Sequence, residues 1–422
     1  MKNKWKKLLL SGMALSAIFL TACGKGDKKD SSGKVKLDIM YYHGALGKTT
    51  IENAKKKFSD YELKFQQVPA DTNYDMQLKT NLNSDSAPDI AAINSNIQDF
   101  KGYYDKFANL LDYGTGDLAD KQVEWKWDST LVKTDDGDYQ MALPLDIGPT
   151  ANFYNVKNFK AAGLPTDPDE VSEKISTIED LMAAAKQMKE KADVPMFQSA
   201  SDFLAELYQQ MTKKIYNEEG ELTFADGELR EMWDYAVEAI QNGYSLGTLG
   251  GSVDSATAKA RGLFGSHIQA SWGIADLAES GAEPGDWQVA KRPGNPSNSG
   301  GSYLSVLKST KHPKEVTEVI MFLTGEDSQR INYKEQGLFP TFISLQEEDE
   351  FKNATHEIFG DQKFNKYFIE SAQNLKYIEL DPRESGAFRY FEDEINLVET
   401  QDKDPEKAWD DAVEQVKVHS EG

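Results

Sequence analysis

Apolar residues at Val35, Leu37 and Ile39 alternate into Tyr41, a period of two that predicts a β-strand. Met40 and Tyr42 occupy the intervening positions, so this strand is expected to be covered on both faces. Ile51, Ala54 and Phe58 share a helical face over 48–58. Glu62–Val68 reads as a second strand, 74–83 as a helix and Asp89–Ile93 as a third, short apolar strand. Strand, helix, strand, helix, strand is the trace of a parallel α/β sheet.

Further along, the spacing turns helical. Ile178, Leu181, Met182, Ala185 and Met188 form one stripe, and Leu229, Met232, Trp233, Ala236, Val237 and Ile240 another. Val316, Val319, Ile320 and Leu323 form a third behind Pro313, which is placed to open a helix. A final helix is expected from Pro405, with Asp404 as its N-cap and Ala408, Trp409, Ala412, Val413 and Val416 on its buried face. Two stretches are too rich in Pro and Gly to be element interiors: 144–149 (Pro-Leu-Asp-Ile-Gly-Pro) and 291–301, which holds Pro293, Gly294, Pro296, Gly300 and Gly301. If both cross between lobes, the chain leaves a first lobe near 144 and returns to it near 302. The expected fold is α/β, with two lobes, a hinge and a ligand cleft between them. Lobe 1 would comprise 35–143 and 302–340, and lobe 2 would comprise 150–290 and 341–422.

The chain's only cysteine adds a location. Lys2, Lys4, Lys6 and Lys7 precede a short apolar run, Leu8 to Leu20, which ends in Thr21-Ala22-Cys23. That is the layout of a secretory leader over 1–22, too short to span a bilayer comfortably. Its ending resembles a lipobox, which implies that Cys23 is acylated and becomes the mature N-terminus, anchoring the protein to the outer face of the cell membrane. Residues 23–34, charged and small, read as a flexible tether. An acylated Cys23 leaves no thiol for disulfides, thiolate metal sites or nucleophilic catalysis. The formal charge of −23, made more negative when the four leader lysines go, argues against nucleic acid and against a basic membrane dock. Five scattered histidines offer no metal site, and nothing calls for a cofactor.

Several motifs now fall into an order. Ser86-Ala87-Pro88-Asp89-Ile90 is followed by Pro144-Leu145-Asp146, Ala151-Asn152-Phe153-Tyr154-Asn155, Phe159-Lys160-Ala161-Ala162-Gly163-Leu164-Pro165 and Thr177-Ile178-Glu179-Asp180-Leu181, and then by Gly262-Leu263-Phe264-Gly265 through Ala270-Ser271-Trp272. The sequence resembles the family 1 extracellular solute-binding proteins, the sugar-binding lipoproteins of bacterial ABC importers. The resemblance covers essentially the whole mature chain and implies a periplasmic-binding-protein fold, a carbohydrate ligand, an ABC permease as partner and a monomer as the working form. Four features depart from the pattern: Asn152 in place of an apolar residue, Ala161 in place of a polar one, an insert from Asp167 to Ile175, and Arg389. In Gly386-Ala387-Phe388-Arg389-Tyr390, Arg389 stands where maltodextrin binders of the family carry a stacking tryptophan. Leu145-Asp146-Ile147-Gly148-Pro149 looks more like the binders of arabino-oligosaccharides and related chains.

A sugar offers apolar C–H faces and a ring of hydroxyls, so its site needs aromatic platforms and hydrogen-bonding groups. Trp272, at a strand end before Gly273, is the candidate platform, against the alternative that it is core. Tyr41, Tyr42 and His43 end the first strand, where at least one tyrosine is expected to face the cleft. Asn94 follows the third strand, either to bind hydroxyls or to cap a helix. Asp146, between two prolines, is placed either to accept hydroxyl protons or to brace the hinge. Gly301 and Ser302 would let backbone approach the ligand. Arg383 and Arg389 are the cationic candidates, with pairing to Glu384 or Glu392 as the alternative. A non-enzymatic receptor is the leading reading. A surface glycoside hydrolase or lyase using paired carboxylates is the rival, and a binder of peptides, phosphate or metals a third.

Overall fold

The computed structural model describes residues 34–69, 73–84, 86–217 and 219–421. Cys23, its leader and all but the last residue of the tether lie outside them. Among the described residues, ten strands occur in chain order: β1 (Val35–Tyr42), β2 (Tyr61–Val68), β3 (Ile90–Ile93), β4 (Leu131–Thr134), β5 (Gly137–Gln140), β6 (Leu143–Pro144), β7 (Thr150–Asn155), β8 (Ser266–Ala270), β9 (Trp287–Ala290) and β10 (Tyr303–Val306).

The first sheet runs β2-β1-β3-β10-β6. β1 pairs in parallel with β2 and β3, as the alternating strand and helix patterns require, through helices Lys48–Lys57 and Tyr74–Asn81. β10 enters from the far end of the chain and runs antiparallel to both β3 and β6, so the sheet is mixed rather than wholly parallel. A second sheet, β8-β7-β9, is antiparallel throughout. β4 and β5 form a separate hairpin.

Three apolar cores hold these layers. The first packs Leu37, Ile39, Ile90, Leu304 and Val306 against helix Pro313–Leu323. The second gathers the stripes of helices Ile178–Ala192, Glu228–Gln241, Glu384–Gln401 and Pro405–Glu421. The third joins Phe153, Trp287, Phe339, Phe351 and Phe368 around the second sheet.

Local signals explain the helix starts. Thr177 and Asp180 form a reciprocal capping box, and Asp404 accepts the Lys407 N–H at 2.9 Å ahead of Pro405. The insert after Pro165 is itself helical over Pro168–Lys174, capped by Asp167, whose carboxylate accepts the N–H groups of Asp169 and Glu170. Asn152 departs from the expected apolar residue yet is fully buried, accepting a hydrogen bond from the Ser266 hydroxyl.

Three passages of chain lie side by side between the cores. The Leu145 N–H donates to the Ser302 carbonyl at 2.9 Å, Ser299 N–H to Gly148 O at 2.7 Å, and Thr150 N–H to Ser297 O at 3.1 Å. On its other side Ile147 N–H donates to Phe339 O at 2.9 Å. A Cβ on Gly148 would lie 1.8 Å from the Ser299 carbonyl oxygen, so only glycine permits this approach. Short helix Glu124–Asp128 straddles the same junction: Trp127 packs in the first core and Trp125 in the third.

Candidate functional site

Beside these passages opens a cleft with a cavity of about 710 Å³. Its walls come from Ser95–Asp99 after β3, from Tyr208–Lys214, from Asn295–Tyr303, from segment 374–381 that follows helix Asn365–Asn374 from its last residue, and from one face of helix Glu384–Gln401. That helical face presents Ser385, Phe388 and Glu392, spaced so that all three point the same way. Phe388 stacks on Tyr208 with centroids 3.7 Å apart and planes at 15°. Glu384 fixes this arrangement: its carboxylate accepts the N–H groups of Ile215 at 2.7 Å and Tyr216 at 3.1 Å, and the Tyr208 hydroxyl. Across the cleft, Lys101 donates to Glu379 at 2.7 Å and to the Tyr377 hydroxyl at 3.2 Å, tying segment 374–381 to the first sheet's side.

Behind the cleft-lining Tyr303 lies a buried charge pair. Asp146 is 4% exposed and accepts the Ser302 N–H at 2.8 Å. Lys126 is wholly buried, its Nζ lies 3.4 Å from the Tyr303 ring centroid, and the ammonium has no hydrogen-bond acceptor. Burial pulls the Lys126 pKa down to about 7, with the Asp146 charge opposing. Burial also raises the Asp146 pKa, against the pull of Lys126 and Ser302. Gly301, at φ +90°, fits over them; a Cβ there would sit 2.8 Å from Asp146 O and 2.9 Å from Lys126 Nζ. Elsewhere in the cleft Glu392 is pushed up to about 7, first by burial and then by Asp393 and Asp202.

The sequence candidates divide. Tyr42 reaches the junction: its hydroxyl lies 2.5 Å from Ser302 Oγ and 3.4 Å from Asn94 Oδ1. Burial and the Asp146 charge raise its pKa, so it remains a protonated phenol. Trp272 is half-buried and donates from Nε1 at 3.3 Å to the carbonyl of Ser299, a residue of the cleft wall. Tyr42, Asn94, Asp146, Gly301, Ser302 and Trp272 thus gather around one junction.

Four candidates do not. Tyr41 points the other way along β1, into the first core against Phe65, because successive strand residues alternate faces. His43 is exposed and bonded to Gln67. Arg383 makes a two-pronged pair with Asp381, donates to Gly220 O and lies over the Tyr216 ring. Its partner is therefore Asp381, not Glu384 or Glu392. Arg389 is exposed on helix Glu384–Gln401, one position past the cleft-lining Phe388.

The sequence profile of the bacterial extracellular solute-binding proteins matches residues 43–330. The chain belongs to this family. A crystal structure of an extracellular solute-binding protein of family 1 superposes on this solute-binding protein with a TM-score of 0.83 at 25% identity, covering 91% of this chain and 99% of that one. The ABC-transporter-associated binding protein of B. animalis subsp. lactis Bl-04, solved with β-1,6-galactobiose, gives 0.73 at 23% identity, with 92% and 97% covered. The Listeria monocytogenes ABC substrate-binding protein solved with cycloalternan gives 0.72 at 17%, with 90% and 97% covered. At those lower identities the likeness is one of fold. No curated protein matches this chain in sequence. Among the described residues, no helix of the solute-binding protein is long and apolar enough to cross a membrane, and no three His, Cys, Asp or Glu side chains gather as a metal-binding group.

Trp125, Lys126, Tyr208, Tyr303, Tyr377 and Phe388 were not among the candidates. The run Glu124-Trp125-Lys126-Trp127 carried a signal, since two tryptophans flanking a lysine cannot all be solvated surface. Tyr208 and Phe388 carried none beyond ordinary helical stripes.

Proposed function

We propose that this protein is the carbohydrate-capturing component of a bacterial ABC importer, held outside the cell by lipid on Cys23, and that it delivers an oligosaccharide to the membrane permease. In this reading 144–149 and 291–301 are the hinge crossings between a lobe of 35–143 with 302–340 and a lobe of 150–290 with 341–422. Tyr333 and Phe339 pack in the third core, so the second boundary lies along the Phe339–Phe342 passage rather than as a clean cut.

The observation that carries the reading is the 710 Å³ cleft, walled by both halves of the chain and by the crossing between them. Its volume falls within the range of small-ligand sites, and its lining mixes aromatic rings with amide and hydroxyl groups. A ligand touching both walls stabilises the closed arrangement by its preference for closed over open. The oligosaccharide ligands of structural relatives point to the same chemical class.

Titrating the purified protein with arabino-, xylo-, malto-, galacto- and fructo-oligosaccharides tests this. A saturable one-to-one heat signal with the sugar recovered intact is expected for at least one series. Cleaved product would instead favour a hydrolase built on the cleft carboxylates.

A further inference from the structure

Residues 375–381 carry neither helix nor strand, yet Leu375, Lys376, Tyr377, Ile378 and Leu380 line the main cleft. Both ends of this strap are rooted in the proposed lobe 2. It leaves helix Asn365–Asn374, which packs in the third core through Tyr367, Phe368 and Ala372. It ends at Asp381, whose carboxylate holds Arg383 at the start of helix Glu384–Gln401.

Between those roots the strap is held from the opposite wall. Short helix Gln98–Lys101 follows β3 in the proposed lobe 1. Lys101 Nζ lies 2.7 Å from Glu379 Oε1, donates to the Tyr377 hydroxyl at 3.2 Å and stands 5.8 Å from the centre of that ring. The lysine side chain is 11% exposed and Glu379 59%, so water reaches the pair from one side only. Gln98 and Tyr377 are hydrogen-bonding neighbours, and so are Asp99 and Ser385. Those four residues line the cleft, whereas Lys101 and Glu379 do not. The ion pair therefore joins the two walls without being placed to touch what lies between them.

We propose that Lys101 is a positioning residue for closure, which clasps the strap through Glu379 and Tyr377 and so adds to the affinity for any sugar in the cleft without contacting it. The clasp goes beyond the carbohydrate reading and depends on it only for the ligand. It forms only when the walls are together, so it favours the closed arrangement before a ligand arrives. A ligand that binds the closed arrangement gains in proportion to the population of that arrangement. Removal of the lysine charge is expected to cost every such ligand the same factor, about three- to tenfold. A contact residue would instead discriminate between ligands. An uncharged sugar has no ionic partner of its own, so salt reaches its affinity through ion pairs such as this one.

The test uses Lys101→Met, which keeps the apolar stem and loses the charge, and Glu379→Gln, at an exposed position. Melting curves report whether each folds, and either folded variant suffices. Spin labels on Met76→Cys and Val253→Cys, in a Cys23→Ser background, read the distance between the lobes of the ligand-free protein in low and in high salt. The wild type is expected to show a shorter mean distance in low salt than in high salt, and each variant the longer distance in both. A wild-type distance that ignores salt, or variants that match the wild type in low salt, overturns the clasp. By calorimetry with a neutral sugar series that binds, each variant should weaken dimer and pentamer by the same factor, and the double variant no more than either single one. Unchanged affinity, or a loss confined to one chain length, overturns the role of Lys101 in affinity. Distances that respond as expected in a protein that binds no sugar uphold the clasp and overturn the carbohydrate reading.

Discussion

Replacing Asp146 by Ala should cost about 3–5 kcal/mol of folding stability, read from urea denaturation. The carboxylate is the charge that faces the fully buried Lys126 ammonium, and it also accepts the Ser302 N–H in the crossing. Its removal leaves a cation without compensation and a donor without an acceptor. The loss should be larger at pH 6 than at pH 9. The unfolded chain keeps this lysine protonated up to its ordinary pKa, whereas the folded group releases its proton at about 7. Above pH 7 the unfolded state therefore binds more protons, and the penalty of the buried cation fades as pH rises. In the variant the folded pKa falls further, so the penalty is greatest in acid. Adding Lys126→Met to an Asp146→Leu background should restore most of the stability, since an apolar pair of similar volume removes both desolvation penalties. A single variant that loses less than about 1 kcal/mol, or a double variant no better than the single, contradicts this account of the buried pair.

Trp272→Ala should weaken oligosaccharide binding at least thirtyfold, about 2 kcal/mol, while the melting temperature moves little. The ring is half-buried, donates to the carbonyl of the cleft-wall residue Ser299 and precedes its helix rather than filling a core. Its truncation removes the proposed sugar platform and the Nε1 bond to Ser299, but no member of the three apolar clusters. Unchanged affinity with a large fall in melting temperature would make Trp272 a packing residue.

The sheet of the first lobe was legible because period-two and period-3.6 patterns are local. β1, β2, β3 and the helices between them lie where the apolar positions put them. The antiparallel β10 was not legible, because its partners β3 and β6 are set by where the chain re-enters after 291–301. Strand period also identifies two faces without saying which is the core, so Tyr41 and Tyr42 were interchangeable until the sheet placed Tyr41 against Phe65. Asp146 was found by its setting between prolines, whereas Lys126, which completes its environment, looked like any surface lysine. Phe388 and Tyr208 meet across 180 residues of chain; each alone is an ordinary helical aromatic, and only their stacking on the cleft wall sets them apart.

The central claim is closure of two lobes on a sugar, and an interlobe distance tests it most directly. Met76, on helix Tyr74–Asn81, and Val253, opening helix Val253–Arg261, are 64% and 83% exposed, one in each proposed lobe. With Cys23 replaced by Ser, spin labels on Met76→Cys and Val253→Cys would report a single pair by double electron–electron resonance. The account predicts a shorter, narrower distance distribution once the bound oligosaccharide saturates the protein. An unchanged distribution at saturation would contradict it.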